Sequence, residues 1–292
     1  MDSGSTLPRR QLGRYLREAR TALNLSQEGV AELTGVSSSV LQRVEMGIST
    51  RMKVHELHAI CEVLEMSREM TEAMIGLLQQ GGERNWWHEY GNLIPVNFDV
   101  YVGLETAARK LTTYQPSLVL GLLQTPEYAR ALIETANPSE SSAEHGRRVE
   151  LRMKRQTILT RRHRPLVLDV VLHEAAVRSL VGGHKVMAAQ IRHLAEIGKL
   201  PNVTLRILPF SAGAPVGNPI GQFAILQFDQ DAKGVPVSPP VVYLETFTGC
   251  MFLERRDDLQ RYDDVHDSIQ RAALDETESR SLLRQVAKEF SV

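Results

Sequence analysis

Residues 25–46, LSQEGVAELTGVSSSVLQRVEM, constrain this chain more than any other segment. Ser26 is a hydroxyl N-cap for a short helix whose inward positions, Val30, Ala31 and Leu33, recur at helical spacing. Gly35 supplies the turn, because a helix ends most cheaply on a residue that tolerates left-handed backbone. Ser37 caps a second helix. At about 100° per residue, Val40, Leu41 and Val44 fall on one side of it, and Ser38, Ser39, Gln42 and Arg43 on the other. Most polar helix faces are merely solvated. Two short capped helices joined by a glycine, the second with a row of hydroxyl, amide and guanidinium groups, match what reading base edges in a major groove requires. The pattern is that of a helix-turn-helix.

The flanks extend it. Leu12, Tyr15, Leu16, Ala19 and Leu23 form an amphipathic stripe before it, Val54, Leu57, Cys61 and Leu64 form another after it, and a last helix spans about residues 68–78. Five helices are therefore expected in residues 1–80. On Leu16, Arg17, Arg20, Leu25, Ser26, Gln27, Ala31, Gly35, Val36, Ser37, Ser39, Arg43, Glu45 and Gly47, this segment resembles the Xre family, the group containing the lambdoid phage repressors. The resemblance implies that Gln27 binds a phosphate and buttresses the recognition helix, and that Ser37, Ser38, Ser39, Gln42 and Arg43 belong to the DNA-facing surface. Arg43 is the strongest base reader among them, since a guanidinium pairs bidentately with guanine. Arg51 and Lys53 lie where the family approaches the sugar-phosphate backbone, positioning without specifying. Arg20 and Glu45 correspond to a structural ion pair between the first helix and the end of the recognition helix. Asn24 stands where the family often has glycine, and asparagine also enters the left-handed region.

The chain has 292 residues, 42% of them hydrophobic and 24% charged, which suits two ordinary domains. Its net charge of −1 excludes a strongly basic, non-specific nucleic-acid binder, so affinity for arbitrary DNA should be modest and salt-sensitive. Cys61 and Cys250 are far apart in sequence and lack zinc-ligand spacing, which favours a reducing cytoplasm over a metal site. No run approaches a membrane span of about 18 apolar residues.

A domain boundary is expected at QQGGER, residues 79–84, with a second domain over residues 85–292. Helical patterning runs through residues 101–111. In GLLQTPEYARAL, Thr125 suits an N-cap, Pro126 the first turn and Glu127 the positive helix start. Residues 147–164 read as an arginine-rich helix, each arginine taken singly a solvated one, the cluster as a whole a candidate second DNA-backbone contact or docking face for an acidic partner. Short turn-bounded apolar runs at 166–172, 203–208, 222–228, 241–245 and 251–254 read as strands, with a helix at 186–197 between the first two. Asp275 and Glu278 form a capping box for the last helix. The expected fold is thus a mainly α, five-helix, phage-repressor-like domain followed by an α+β domain with a small, largely antiparallel sheet.

GLLQTPEYARAL, RMKRQTIL, LHEAA, the VGG followed by Met187 and Gln190, NVTLRILPF with Gly213, and VVYLE give residues 85–285 their own resemblance. They are similar to the second domain of WhiJ-like developmental regulators of actinobacteria, in which an Xre-type domain precedes a domain of unassigned function. That resemblance implies a transcription regulator, often encoded beside a very small protein that is a candidate to bind the second domain. No catalytic set is recognisable. His173 and Glu174 lack the second histidine of a zinc-protease motif, Val177 standing in its place, and the Gly-Gly at 182–183 lacks a phosphate-loop lysine. The reading is a regulator, not an enzyme, that needs no cofactor or metal, acts on a double-stranded DNA operator and pairs as a homodimer. The competing readings are an antitoxin repressing its own promoter and, behind it, an enzyme fused to a DNA-binding domain.

Overall fold

The computed structural model describes residues 6–47, 52–82, 86–90, 93, 98–229 and 238–291. Two compact units divide at Gly91. The first contains α1 (Thr6–Ala22), α2 (Gln27–Thr34), α3 (Ser38–Glu45), α4 (Val54–Val63) and α5 (Arg68–Gly82). Local chemistry sets their ends. Ser26 Oγ accepts the Gly29 amide at 2.9 Å, Ser37 Oγ accepts the Val40 amide, and Gly35 closes α2 at φ 71°. Asn24 takes the left-handed conformation at φ 54°. Leu12, Leu16, Val30, Leu41, Val44, Leu57, Ile60 and Met74 form a single buried core. Three residues assigned inward by periodicity are exposed: Leu33 by 65%, Leu23 by 37% and Val54 by 44%. Each lies at an end of its helix. The core is reached through Val30 and Val36 around α2, and through Leu57, Ile60 and Cys61 on α4.

Helices α1 and α3 come unusually close. A Cβ on Gly13 would stand 2.3 Å from the Val44 carbonyl oxygen, so only glycine lets α1 lie against the C-terminal turn of α3.

The second unit is built on one six-stranded sheet: β1 (Lys110–Gln115), β2 (Val167–His173), β3 (Val203–Leu208), β4 (Phe223–Gln227), β5 (Val241–Thr246) and β6 (Gly249–Leu253). Its order is β3-β2-β1-β4-β5-β6. This corrects the expectation of a small, largely antiparallel sheet. The β1–β2 and β2–β3 pairings are parallel; β1–β4, β4–β5 and β5–β6 are antiparallel. The difference comes from residues 110–115, of which the first two are expected in the helical stretch 101–111 and the rest in no element. The helix α6 ends at Ala107, and KLTTYQ becomes a strand that pairs on both sides. Parallel neighbours need long crossovers. These are α7 (Pro126–Ala136) and α8 (Ser142–Gln156) between β1 and β2, and α9 (Glu174–Arg178) and α10 (His184–Ile197) between β2 and β3; α6 itself spans Phe98–Ala107.

One sheet face, with Tyr114, Val171, Phe223, Ile225 and Val242, packs against α11 (Arg256–Ala272) through Leu259, Tyr262, Val265 and Ile269. Val216 and Ile220, in the connection from β3 to β4, pack on the same cluster. The other face meets the helices of the crossovers. At the β3 edge the Ile207 amide donates to Ser279 Oγ of α12 (Glu276–Glu289) at 2.9 Å, and the Leu274 amide donates to the Ile207 carbonyl, which covers that edge. Asp275 and Glu278 make the capping box at the start of α12.

A buried ion pair ties α6 to α8. Arg155 Nε and Nη2 donate to the two Glu105 oxygens at 2.8 Å each, and the side chains are 7% and 1% exposed. The guanidinium lies 4.9 Å from the Phe98 ring centroid, and Tyr101 stacks on Tyr243 of β5 at 4.2 Å. Burial opposes the Arg155 charge, and Glu105 more than offsets it, holding the guanidinium above its ordinary pKa.

Candidate nucleic-acid interface

On the recognition helix α3, Leu41 and Val44 are buried and Val40 half-buried, so the opposite side is left to Ser39, Gln42 and Arg43, all exposed, with Ser38 half-buried beside them. Ser37 is the N-cap, and its hydroxyl also lies 3.2 Å from that of Ser39. Arg43 Nε donates to the Ser39 carbonyl at 3.2 Å, which leaves the terminal nitrogens to point outward. Three short polar side chains and one guanidinium thus share an eight-residue helix face that carries no apolar anchor.

What holds this helix is a polar knot around Glu45, whose side chain is 1% exposed. Arg20 of α1 donates from Nε to Oε1 at 2.6 Å and from Nη2 to Oε2 at 2.8 Å, a fork-on-fork pair, and from Nη1 to the Leu25 carbonyl. The hydrogen bonds to Glu45, partly opposed by burial, raise the Arg20 pKa. Gln27 Nε2 donates to Glu45 Oε2 at 2.7 Å, so the side chain that the resemblance assigns to a phosphate is engaged with the recognition helix. Arg17 Nη2 donates to the Glu45 carbonyl at 2.8 Å, stitching α1 to the last turn of α3. Arg17 belongs to this knot although its place in the sequence gives only an exposed helix position. Lys53 precedes α4 and is exposed, its amide donating to Glu56 Oε2. Arg51 lies outside the described residues.

The arginine-rich segment does not form the continuous helix expected over 147–164. The helix α8 ends at Gln156, a short 3-10 turn follows, and Arg161, Arg162 and Arg164 lie beyond it. Most of its guanidiniums have intramolecular partners. Arg148 forms a two-pronged pair with Glu140 and also donates to the Leu93 carbonyl. Arg155 is taken by Glu105, Arg161 donates to the Thr106, Ala108 and Arg164 carbonyls, and Arg164 pairs with Asp229 at 2.7 Å. Packing has turned much of a run of charge into internal bracing, while Arg147, Arg162 and Arg164 stay exposed.

His173 and Glu174 have structural work as well. His173 caps α9 by accepting the Ala175 amide, and Glu174 accepts from Arg178 and from the Phe210 amide. Among the described residues no three His, Cys, Asp or Glu side chains are grouped to hold a metal ion, and no helix is long and apolar enough to cross a membrane. Burial pushes the Cys61 thiol up to about 11, which keeps it protonated and unreactive.

Comparison with known proteins agrees with this geometry. Residues 11–74 match a family model described as a helix-turn-helix domain, which points to a DNA-binding regulator. No curated protein matches the chain. Residues 98–285, more than half the chain and containing the whole six-stranded sheet, match the model described as a domain of unknown function (DUF5753), and the chain belongs to that family.

Proposed function

We propose that this protein is a sequence-specific transcriptional regulator of Xre type, related to the WhiJ-like regulators of actinobacteria and not an enzyme. It binds a double-stranded DNA operator through α3, and its second unit controls that binding in response to a small protein partner or a ligand. It works in the cytoplasm, at the nucleoid when bound. The observation that carries the reading is the exposed row of Ser39, Gln42 and Arg43 on a helix locked in place from behind by Glu45, Arg20 and Gln27. Base reading needs such a combination of outward donors and fixed orientation. Arg43 reads a base, Ser38 and Ser39 add groove contacts, and Lys53 and Arg51 approach phosphates.

In this reading Arg43→Ala costs about 1–3 kcal/mol on specific sites, concentrated at one base pair, with the fold unchanged. Lys53→Ala weakens all duplexes alike and lowers the salt slope by about one. Fluorescence anisotropy against specific and scrambled duplexes separates the two, and equal weakening of both duplexes by Arg43→Ala refutes the base-reading role.

One helix-turn-helix reads one half-site, so tight binding needs two copies, and the second unit serves to pair them as a homodimer. Footprinting is expected to show two protected half-sites about one helical turn apart, or a multiple of it, for the full chain. Residues 1–91 alone should keep the same half-site preference with weaker affinity. A different preference for the fragment would mean that the second unit reads bases.

A further inference from the structure

The second unit has a half-open cavity of about 490 Å³ between β1, β4 and β5 on one side and α6, α7 and α8 on the other. That volume suits a small molecule. Its walls are apolar and aromatic over most of their extent, with Phe98, Tyr101 and Tyr243 forming a stacked tier and Leu118, Leu132 and Ile133 lining the α7 side.

The charges on the wall are not equivalent. Arg148 and Arg155 are each neutralised by a two-pronged carboxylate, Glu140 and Glu105. Arg152, one turn from either, has no such partner. It donates from Nη1 to Gln124 Oε1 at 2.6 Å, and among the described residues no carboxylate stands at ion-pair distance from it. Burial, then the Arg155 charge, pulls it down to about 10, so it remains a cation near neutral pH. Glu245 and Glu105 favour its charge only from beyond ion-pair distance. A guanidinium without a close carboxylate in a largely apolar cavity is costly unless something neutralises it.

The site is also built around it. Gln124 is fixed by donating from Nε2 to the Val119 carbonyl at 2.7 Å. The backbone of the GLLQT segment is held by Gln156, which donates to the Gly121 and Gln124 carbonyls, and by Gln190, which donates to the Leu123 carbonyl and accepts the Thr125 amide. Three glutamines thus spend their amides on orienting one arginine and the turn beside it. With Nη1 engaged, the remaining guanidinium donors have no partner among the described residues and can take a carboxylate.

We infer that this cavity is a binding site for a small amphipathic monoanion, an apolar or aromatic body carrying one carboxylate, which Arg152 receives. One guanidinium without a carboxylate at ion-pair distance receives one negative charge. Glu245 on the rim, held by Gln222, disfavours a dianion such as a phosphate monoester. That occupancy alters operator binding rests on the control role proposed above for this unit.

The test uses the full chain without DNA, titrated calorimetrically with 2-naphthoate and decanoate and, as neutral counterparts, 2-naphthamide and decanol. The acids are expected to bind about tenfold or more tightly than the neutral compounds. Arg152→Met should abolish that preference. Glu245→Gln, at an exposed position, should tighten the acids about threefold or more and leave the neutral compounds unchanged. Failure of both acids to bind at about 1 mM, equal affinity for acid and amide, or unchanged acid affinity in Glu245→Gln overturns the proposal. The Glu245 variant decides alone if Arg152→Met does not fold. A separate titration of operator DNA with and without 2-naphthoate reads the coupling: acid binding with no change in DNA affinity leaves the pocket standing and overturns the ligand-control role.

Discussion

Glu45→Ala is expected to lower the stability of the helical unit by about 3 kcal/mol or more, the range found when one partner of a buried ion pair is removed. The carboxylate is almost fully buried and accepts from Arg20 at two positions and from Gln27. Its loss leaves the Arg20 guanidinium, itself only 13% exposed, with the Leu25 backbone carbonyl as its remaining acceptor. For a unit of this size that corresponds to a fall in melting temperature of roughly 10–20 °C. Calorimetry of the full chain should show the effect in one transition and leave that of the sheet-containing unit in place. Operator binding should fall with it even below the transition, because the α3 C-terminus loses its side-chain anchor to α1 and keeps only the Arg17 bond to its backbone. An unchanged melting temperature would remove Glu45 from this role. The double change Arg20→Met with Glu45→Leu is expected to restore stability better than either single change, since a buried pair is more costly to halve than to replace by apolar groups.

Glu105→Ala should destabilise the second unit by about 3–5 kcal/mol. It strands Arg155 beside the Phe98 and Tyr101 rings with both of its carboxylate bonds gone. The cation–ring contacts are worth about 1–2 kcal/mol and cannot substitute for the carboxylate. The readout is again calorimetric, with the expected loss in the other transition, and Glu105→Gln should retain part of the stability. A loss below about 1 kcal/mol for Glu105→Ala would mean that water reaches the guanidinium and that the pair is not an internal brace.

Much of this molecule was legible residue by residue. Caps are local devices, set by a side chain and an amide two or three positions away, and Ser26, Ser37, Thr125 and Asp275 all end or begin the helices their sequence context indicates. The outward turn of Gln42 and Arg43 follows from helical periodicity once Leu41 and Val44 are buried. Periodicity failed where a residue's surroundings come from distant chain. KLTTYQ has no strong alternation, and only pairing with β2 on one side and β4 on the other makes it the strand from which the sheet runs parallel in one direction and antiparallel in the other. Leu33 is apolar and lies at helical spacing from Val30, yet no helix covers it.

The arginines show the same division. The sequence supplies a run of positive charge and cannot say where each guanidinium goes. The tertiary structure sends Arg148 to Glu140, Arg155 to Glu105 fifty positions away and Arg164 to Asp229, and leaves Arg152 facing a cavity whose walls come from residues 93 to 245. Sequence alone therefore determined the helix-turn-helix and the local ends of its elements, because hydrogen bonds and periodicity over a few residues suffice for them. The sheet topology, the pairing of charges and the cavity were decided by tertiary structure, because each depends on which distant segments burial brings together, and short-range chemistry carries no record of that.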